Sequence, residues 1–168
     1  MRAFLLGLVA SLAALLFSGT AVAQSSSDKA SDGAFTGIAL ITDDPNWHEL
    51  FQRPETPHIS GVDRLAGGER GTLAIIFSNA EPRDGMVSIV CDVTVFDPAG
   101  SRLIVDSGPC YDGPYAGPNI LHPTLLDLSF GIGEDEPEGK AGFKVTLRDV
   151  HSGREVDLEV GFTQGGAP

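Results

Sequence analysis

The chain has 168 residues, enough for one domain with a sizeable core, and carries 11 basic against 23 acidic side chains, a net charge of −12. Such an acidic balance excludes nucleic acid and anionic lipid surfaces as partners, because both require a positive face. Twenty-one glycines and 11 prolines beside few aromatics suit short strands joined by turns rather than a helical bundle.

Residues 1–23 read as a signal peptide: Arg2 supplies the positive region, 3–17 an apolar run, and Ala21-Val22-Ala23 a small-x-small cleavage site. The run falls short of the ~20 residues that span a bilayer. Cleavage is therefore expected, with no membrane insertion afterwards and a periplasmic or secreted location. Residues 24–34, QSSSDKASDGA, are small and polar and are expected to be a disordered lead-in to a single domain over 35–168.

The first strand is predicted at 35–41. Asp44-Pro45 with acidic neighbours is a helix-start signal, so one or two helical turns are expected before Pro54. There Trp47, Leu50 and Phe51 fall at i, i+3 and i+4 and would pin the turn to one end of the fold. A short strand is expected within 59–65. Residues 72–78, TLAIIFS, form a continuous apolar run and read as a buried central strand. Residues 86–97 are the longest strand, with Val87, Ile89, Cys91, Val93 and Val95 facing the core, and 102–106 return beside it. Leu126, Leu128, Phe130 and Ile132 mark another strand. The closing hairpin is the clearest element: Phe143, Val145 and Leu147, then Val156, Leu158, Val160 and Phe162, alternate with polar residues around His151-Ser152-Gly153. A hairpin with one apolar face needs a second layer to cover it.

The chain holds two cysteines, Cys91 and Cys110. In an oxidising compartment they are expected to form a disulfide, closing a loop of about 20 residues and contributing ~3 kcal/mol on the chain-entropy argument. A redox-active pair would call for C-x-x-C spacing and a basic neighbour. Residues 107–123 are rich in glycine and proline and read as a long loop. Within it Tyr111 and Tyr115, near Cys110, have the make-up of a recognition surface. The competing reading is that both rings pack over a sheet edge as a lid. Trp47 has the same ambiguity between core anchor and ligand platform.

About seven turn-separated strands without alternating helices imply an all-β, immunoglobulin-like antiparallel sandwich with one short helical turn near the N-terminus, a barrel being the alternative. The closing hairpin, the F-D-P-A-G turn at 96–100 and the T-D-D-P-N-W-H-E-L-F-Q-R-P segment at 42–54 resemble a group of uncharacterised exported proteobacterial proteins with immunoglobulin- or fibronectin-III-like domains. The resemblance spans most of 38–162 and implies fold and exported location, with no catalytic residues to carry over. Immunoglobulin domains often place a corner tyrosine two residues before a cysteine. Here that region offers Phe143 and no cysteine.

No catalytic set emerges. His48-Glu49-Leu50-Phe51-Gln52 begins like H-E-x-x-H but ends in glutamine, and no G-x-S-x-G or phosphate loop is present. Glu134, Asp135, Glu136 and Glu138 gather hard oxygen donors in one turn, a weak calcium candidate whose spacing departs from the known loop. The expected function is thus non-enzymatic and cofactor-free: binding of an envelope protein or ligand through loops. The alternatives are a metal-dependent protein using scattered histidines and carboxylates, and an assembly subunit pairing through an exposed edge strand.

Overall fold

In the computed structural model, residues 25–126 and 128–165 are described, so the expected signal peptide at 1–23 lies outside them. They form a sandwich of two sheets. One sheet takes the order β1 (Ser27–Asp32), β2 (Phe35–Thr42), β4 (Arg70–Ser78) and then β7 (His122–Pro123), with β8 (Leu128–Gly131) also on β4. The other runs β3 (Arg64–Leu65), β10 (Glu155–Gln164), β9 (Gly139–Asp149), β5 (Met86–Phe96) and β6 (Arg102–Pro114). All pairings are antiparallel except the short parallel contact of β3 with β10. Among the described residues no helix is long and apolar enough to cross a membrane.

The alternation in the sequence sets the interior. Phe143, Val145 and Leu147 of β9, Val156, Leu158 and Val160 of β10, and Val87, Ile89, Cys91 and Val93 of β5 are buried in one cluster with Ile41, Leu73, Ile75 and Phe77 of the facing sheet. Gly37 of β2 sits where the sheets approach most closely. A Cβ there would lie 2.7 Å from both Leu147 Cδ1 and Val156 Cγ2, so only hydrogen fits.

Strand β4 is buried on both faces, as its unbroken apolar run predicts. Its outward residues Ala74 and Ile76 pair with Leu40 and Ile38 of β2. These are covered by the 3-10 turn Trp47–Gln52 and neighbouring chain, through Trp47, Phe51, Ile59 and Leu121. The helical turn therefore forms a partial third layer over the outer face of the sheet, not a plug at one end as expected. Leu50 stays outside that cluster.

Three expectations are corrected. The lead-in 24–34 contains an ordered strand, β1. Its polar sequence conceals it because its stabilising partners are backbone groups: Asp28 Oδ2 accepts from Glu159 N–H (2.8 Å) and Asp32 Oδ2 from Glu155 N–H (3.3 Å), while the Ser25 carbonyl accepts from Gly161 N–H (2.9 Å). The carboxylates thus occupy the free edge of β10, which would otherwise be open to another chain. The expected strand in 59–65 reduces to Arg64–Leu65. The returning strand does not stop at 106 but runs to Pro114, so the first part of the expected loop is strand. Its glycines and prolines are tolerated because β6 is the edge of its sheet and its pairing slips twice, between Ile89/Val90 and between Val93/Thr94.

Candidate binding site

Cys91 and Cys110 are disulfide-bonded, with Cα atoms 5.6 Å apart. Cys110 falls in the first slip of the β5–β6 ladder, between Pro109 opposite Val90 and Tyr111 opposite Ile89. The extra residue of this bulge is thereby pinned to the core of β5. The same end of the sandwich is closed by 124–125. Thr124 N–H donates to the Ile75 carbonyl of β4 (2.9 Å) and Leu125 N–H to the Cys110 carbonyl of β6 (2.7 Å), linking the two sheets.

Beside this closure lies an aromatic cluster. His122 stacks on Phe77 with centroids 5.1 Å apart. Tyr111 meets Phe77 edge-on at 4.9 Å and His122 at 5.7 Å, and Tyr115 stacks over His122 at 6.4 Å. Tyr111 Oη donates to the Pro114 carbonyl (3.2 Å). Burial raises the Tyr111 hydroxyl above its usual pKa and lowers the His122 imidazole below its own. The two tyrosines are thus brought together, as sequence suggested, but on a strand and around a buried histidine that sequence did not single out. Their geometry is that of a lid on the core. Trp47 is fully buried, tilted against His48 (3.7 Å) and edge-on to Phe51 (5.9 Å), and so presents no platform to solvent.

The histidines do not converge. His48 Nε2 bonds the Thr124 carbonyl (3.1 Å), His151 Nδ1 bonds the Glu81 carbonyl (3.0 Å), His122 lies in the aromatic cluster, and His58 is exposed. In the acidic turn Glu138 pairs with Arg64 (3.0 Å) and Glu136 Oε2 accepts from Gln164 Nε2 (3.1 Å), while Glu134 and Asp135 are exposed. Among the described residues no three metal-donor side chains gather as a metal site, so the calcium candidates Glu134, Asp135, Glu136 and Glu138 do not form a shared cage.

The opposite end of the sandwich is open. There β8 is only four residues long, and the inner face of β5 and β9 is left partly uncovered. The result is a cleft of about 380 Å3 lined by Val95, Leu128, Phe130, Ile132, Phe143 and Phe162, with Asp97, Glu136 and Gln164 among its polar residues. Phe130 lies 5.1 Å from Phe143 and 5.3 Å from Phe162, ring centroid to ring centroid. Leu103, directly opposite Val95 on β6 and so on the same face, is 65% exposed and extends the apolar surface outward. This volume lies in the range of small-ligand pockets, which are mostly apolar with a few convergent polar groups. Sequence reading missed the cleft. Its residues were each legible as core, and what pattern reading did not show is that Val95, Leu128 and Phe130 stay half-buried over the buried Phe143 and Phe162.

Fold and site together define an all-β sandwich with one apolar cleft between its sheets. The sequence matches no protein-family model and no curated protein. Among solved structures, a family 123 glycoside hydrolase from Clostridium perfringens, described for glycolipid glycan hydrolysis, is similar with a TM-score of 0.44 and 6% identity, over 78% of this chain and 27% of that one. The chain thus spans little more than a quarter of that enzyme, and no functional argument is drawn from the likeness.

Proposed function

We propose that this protein is a non-enzymatic binding domain that works outside the cytoplasm and holds an apolar group of its ligand in the cleft between β8 and the β5–β9 face. The observation that carries the reading is the cleft itself. Phe130, Phe143 and Phe162 line a concave site at the edge of the core shared by the two sheets. The Cys91–Cys110 bridge supports an oxidising location.

Titration with an uncharged solvatochromic dye tests the cleft. Saturable binding is expected, and Leu128→Trp, which fills the cleft from a half-buried position, should weaken it about tenfold or more while the melting temperature holds. Unchanged binding in a folded Leu128→Trp variant overturns the reading. Export has its own test: mass spectrometry of protein from the cell envelope or medium should give an N-terminus at Gln24.

A further inference from the structure

We infer that the cleft selects an organic cation, an apolar or aromatic group ending in a protonated amine. The inference rests on the cleft being a binding site and names the ligand class. The apolar wall is built on Phe130, the half-buried ring that packs over the buried Phe143 and Phe162, and an aromatic face attracts positive charge.

The polar lining points the same way. Gln164 is 6% exposed, and its Nε2 donates to Glu136 Oε2 (3.1 Å) and to the Pro137 carbonyl (3.3 Å). Its donors are thus directed at the acidic turn, and the carboxamide oxygen remains as acceptor. Glu136 Oε1 accepts no hydrogen bond from the described residues, and Asp97 adds a second carboxylate to the lining. The described lining contains no lysine, arginine or histidine. Arg64, a basic side chain at this end, is engaged by Glu138 Oε1 (3.0 Å) and by the Gly165 carbonyl (3.0 Å).

A carboxylate ligand would sit against two like charges in the lining, with Arg70 opposite Gly131 and Arg102 opposite Phe96 outside it. Asp97 and Glu136 are exposed and Asp97 Oδ1 also accepts from Ser101 N–H (2.8 Å), so an apolar ligand leaves only the buried Gln164 acceptor without a donor, at a cost. A protonated amine supplies both the charge and the donors, so the lining discriminates by repulsion as well as attraction.

The test is calorimetric titration with three probes of matched shape: 4-phenylbutylamine, 4-phenylbutanol and 4-phenylbutyrate, at pH 7. The amine is expected to bind about tenfold or more tighter than the alcohol, and the carboxylate more weakly than both. Glu136→Gln combined with Asp97→Asn should bring amine and alcohol to similar affinity. Glu134→Gln combined with Asp135→Asn removes the same charge from the same region without touching the lining, and the preference should persist. Loss of preference in this second pair, or equal binding of amine and alcohol by the unaltered protein, overturns the cation assignment while leaving an apolar site. Failure of all three probes together with the uncharged dye overturns the cleft reading beneath it.

Discussion

At the scale of single residues, Asp149 organises the turn that the sequence makes most visible. Its fully buried carboxylate accepts from His151 N–H (3.1 Å), Ser152 Oγ (2.5 Å) and Glu81 N–H (2.8 Å), tying the β9–β10 turn to the loop before β5. Hydrogen bonds to a buried charge are among the stronger ones, so Asp149→Ala should lower unfolding free energy by about 3 kcal/mol in urea titration, with Asp149→Asn falling between the two. The alternation around His151-Ser152-Gly153 announces the hairpin, but the reach of Asp149 to Glu81 is a tertiary fact. His122 carries a pH dependence. Burial lowers its pKa in the folded state, so the unfolded chain takes up the proton first as pH falls. Its contribution is complete above the unfolded value near 6.5 and is lost progressively as pH drops from there toward the lowered folded value. The melting temperature should therefore decline as pH falls below about 6.5, and His122→Phe should flatten that decline.

At the scale of elements, β1 is the instructive case. A strand written S-D-K-A-S-D has no apolar stripe, so pattern reading leaves it out. It orders because it pairs along its whole length with β2, from Ser27 opposite Leu40 to Asp32 opposite Phe35, and because Asp28 and Asp32 accept from N–H groups of β10, more than 120 residues away in sequence. Asp28→Ala with Asp32→Ala should cost about 1 kcal/mol each and expose the β10 edge, read as a lower urea midpoint together with self-association in sizing experiments. Gly37 belongs to the same scale, because it sets the spacing of β2 against the hairpin. Gly37→Ala drives a methyl into Leu147 and Val156 and should destabilise by about 1–3 kcal/mol, measured by the same titration. For β6 the sequence misled in the same direction by a different signal. Its prolines and glycines at 108–114 signal a loop, and an edge position with two register slips accommodates them as strand.

At the scale of the whole molecule, the sandwich is stapled at one end and open at the other. The staple is the Cys91–Cys110 bridge with the backbone bonds of Thr124 and Leu125. Removing the bridge by Cys91→Ala with Cys110→Ala should cost about 3 kcal/mol through the loop it closes, seen as a lower thermal midpoint, while leaving dye binding in the cleft at the far end unchanged. At the cleft the end of β5 and the start of β9, strands of 11 residues each, meet a β8 of four residues, whose Phe130 packs on Phe143 and stays half-buried.

By itself the sequence determined the layers. Period-two alternation in β5, β9 and β10 and the two-sided apolar run of β4 fix which side chains leave water, because that choice depends on local spacing alone. The paired cysteines were legible as the two thiols of the chain, and they form the bridge. The tertiary structure alone decided what covers what: the Trp47 turn on an outer face, β1 on the edge of β10, the tyrosines against His122, and the half-buried Phe130 over Phe143 and Phe162 at the cleft. Those outcomes depend on how long each strand is relative to the strand it faces, and relative length across a sandwich has no trace in the order of residues along one strand.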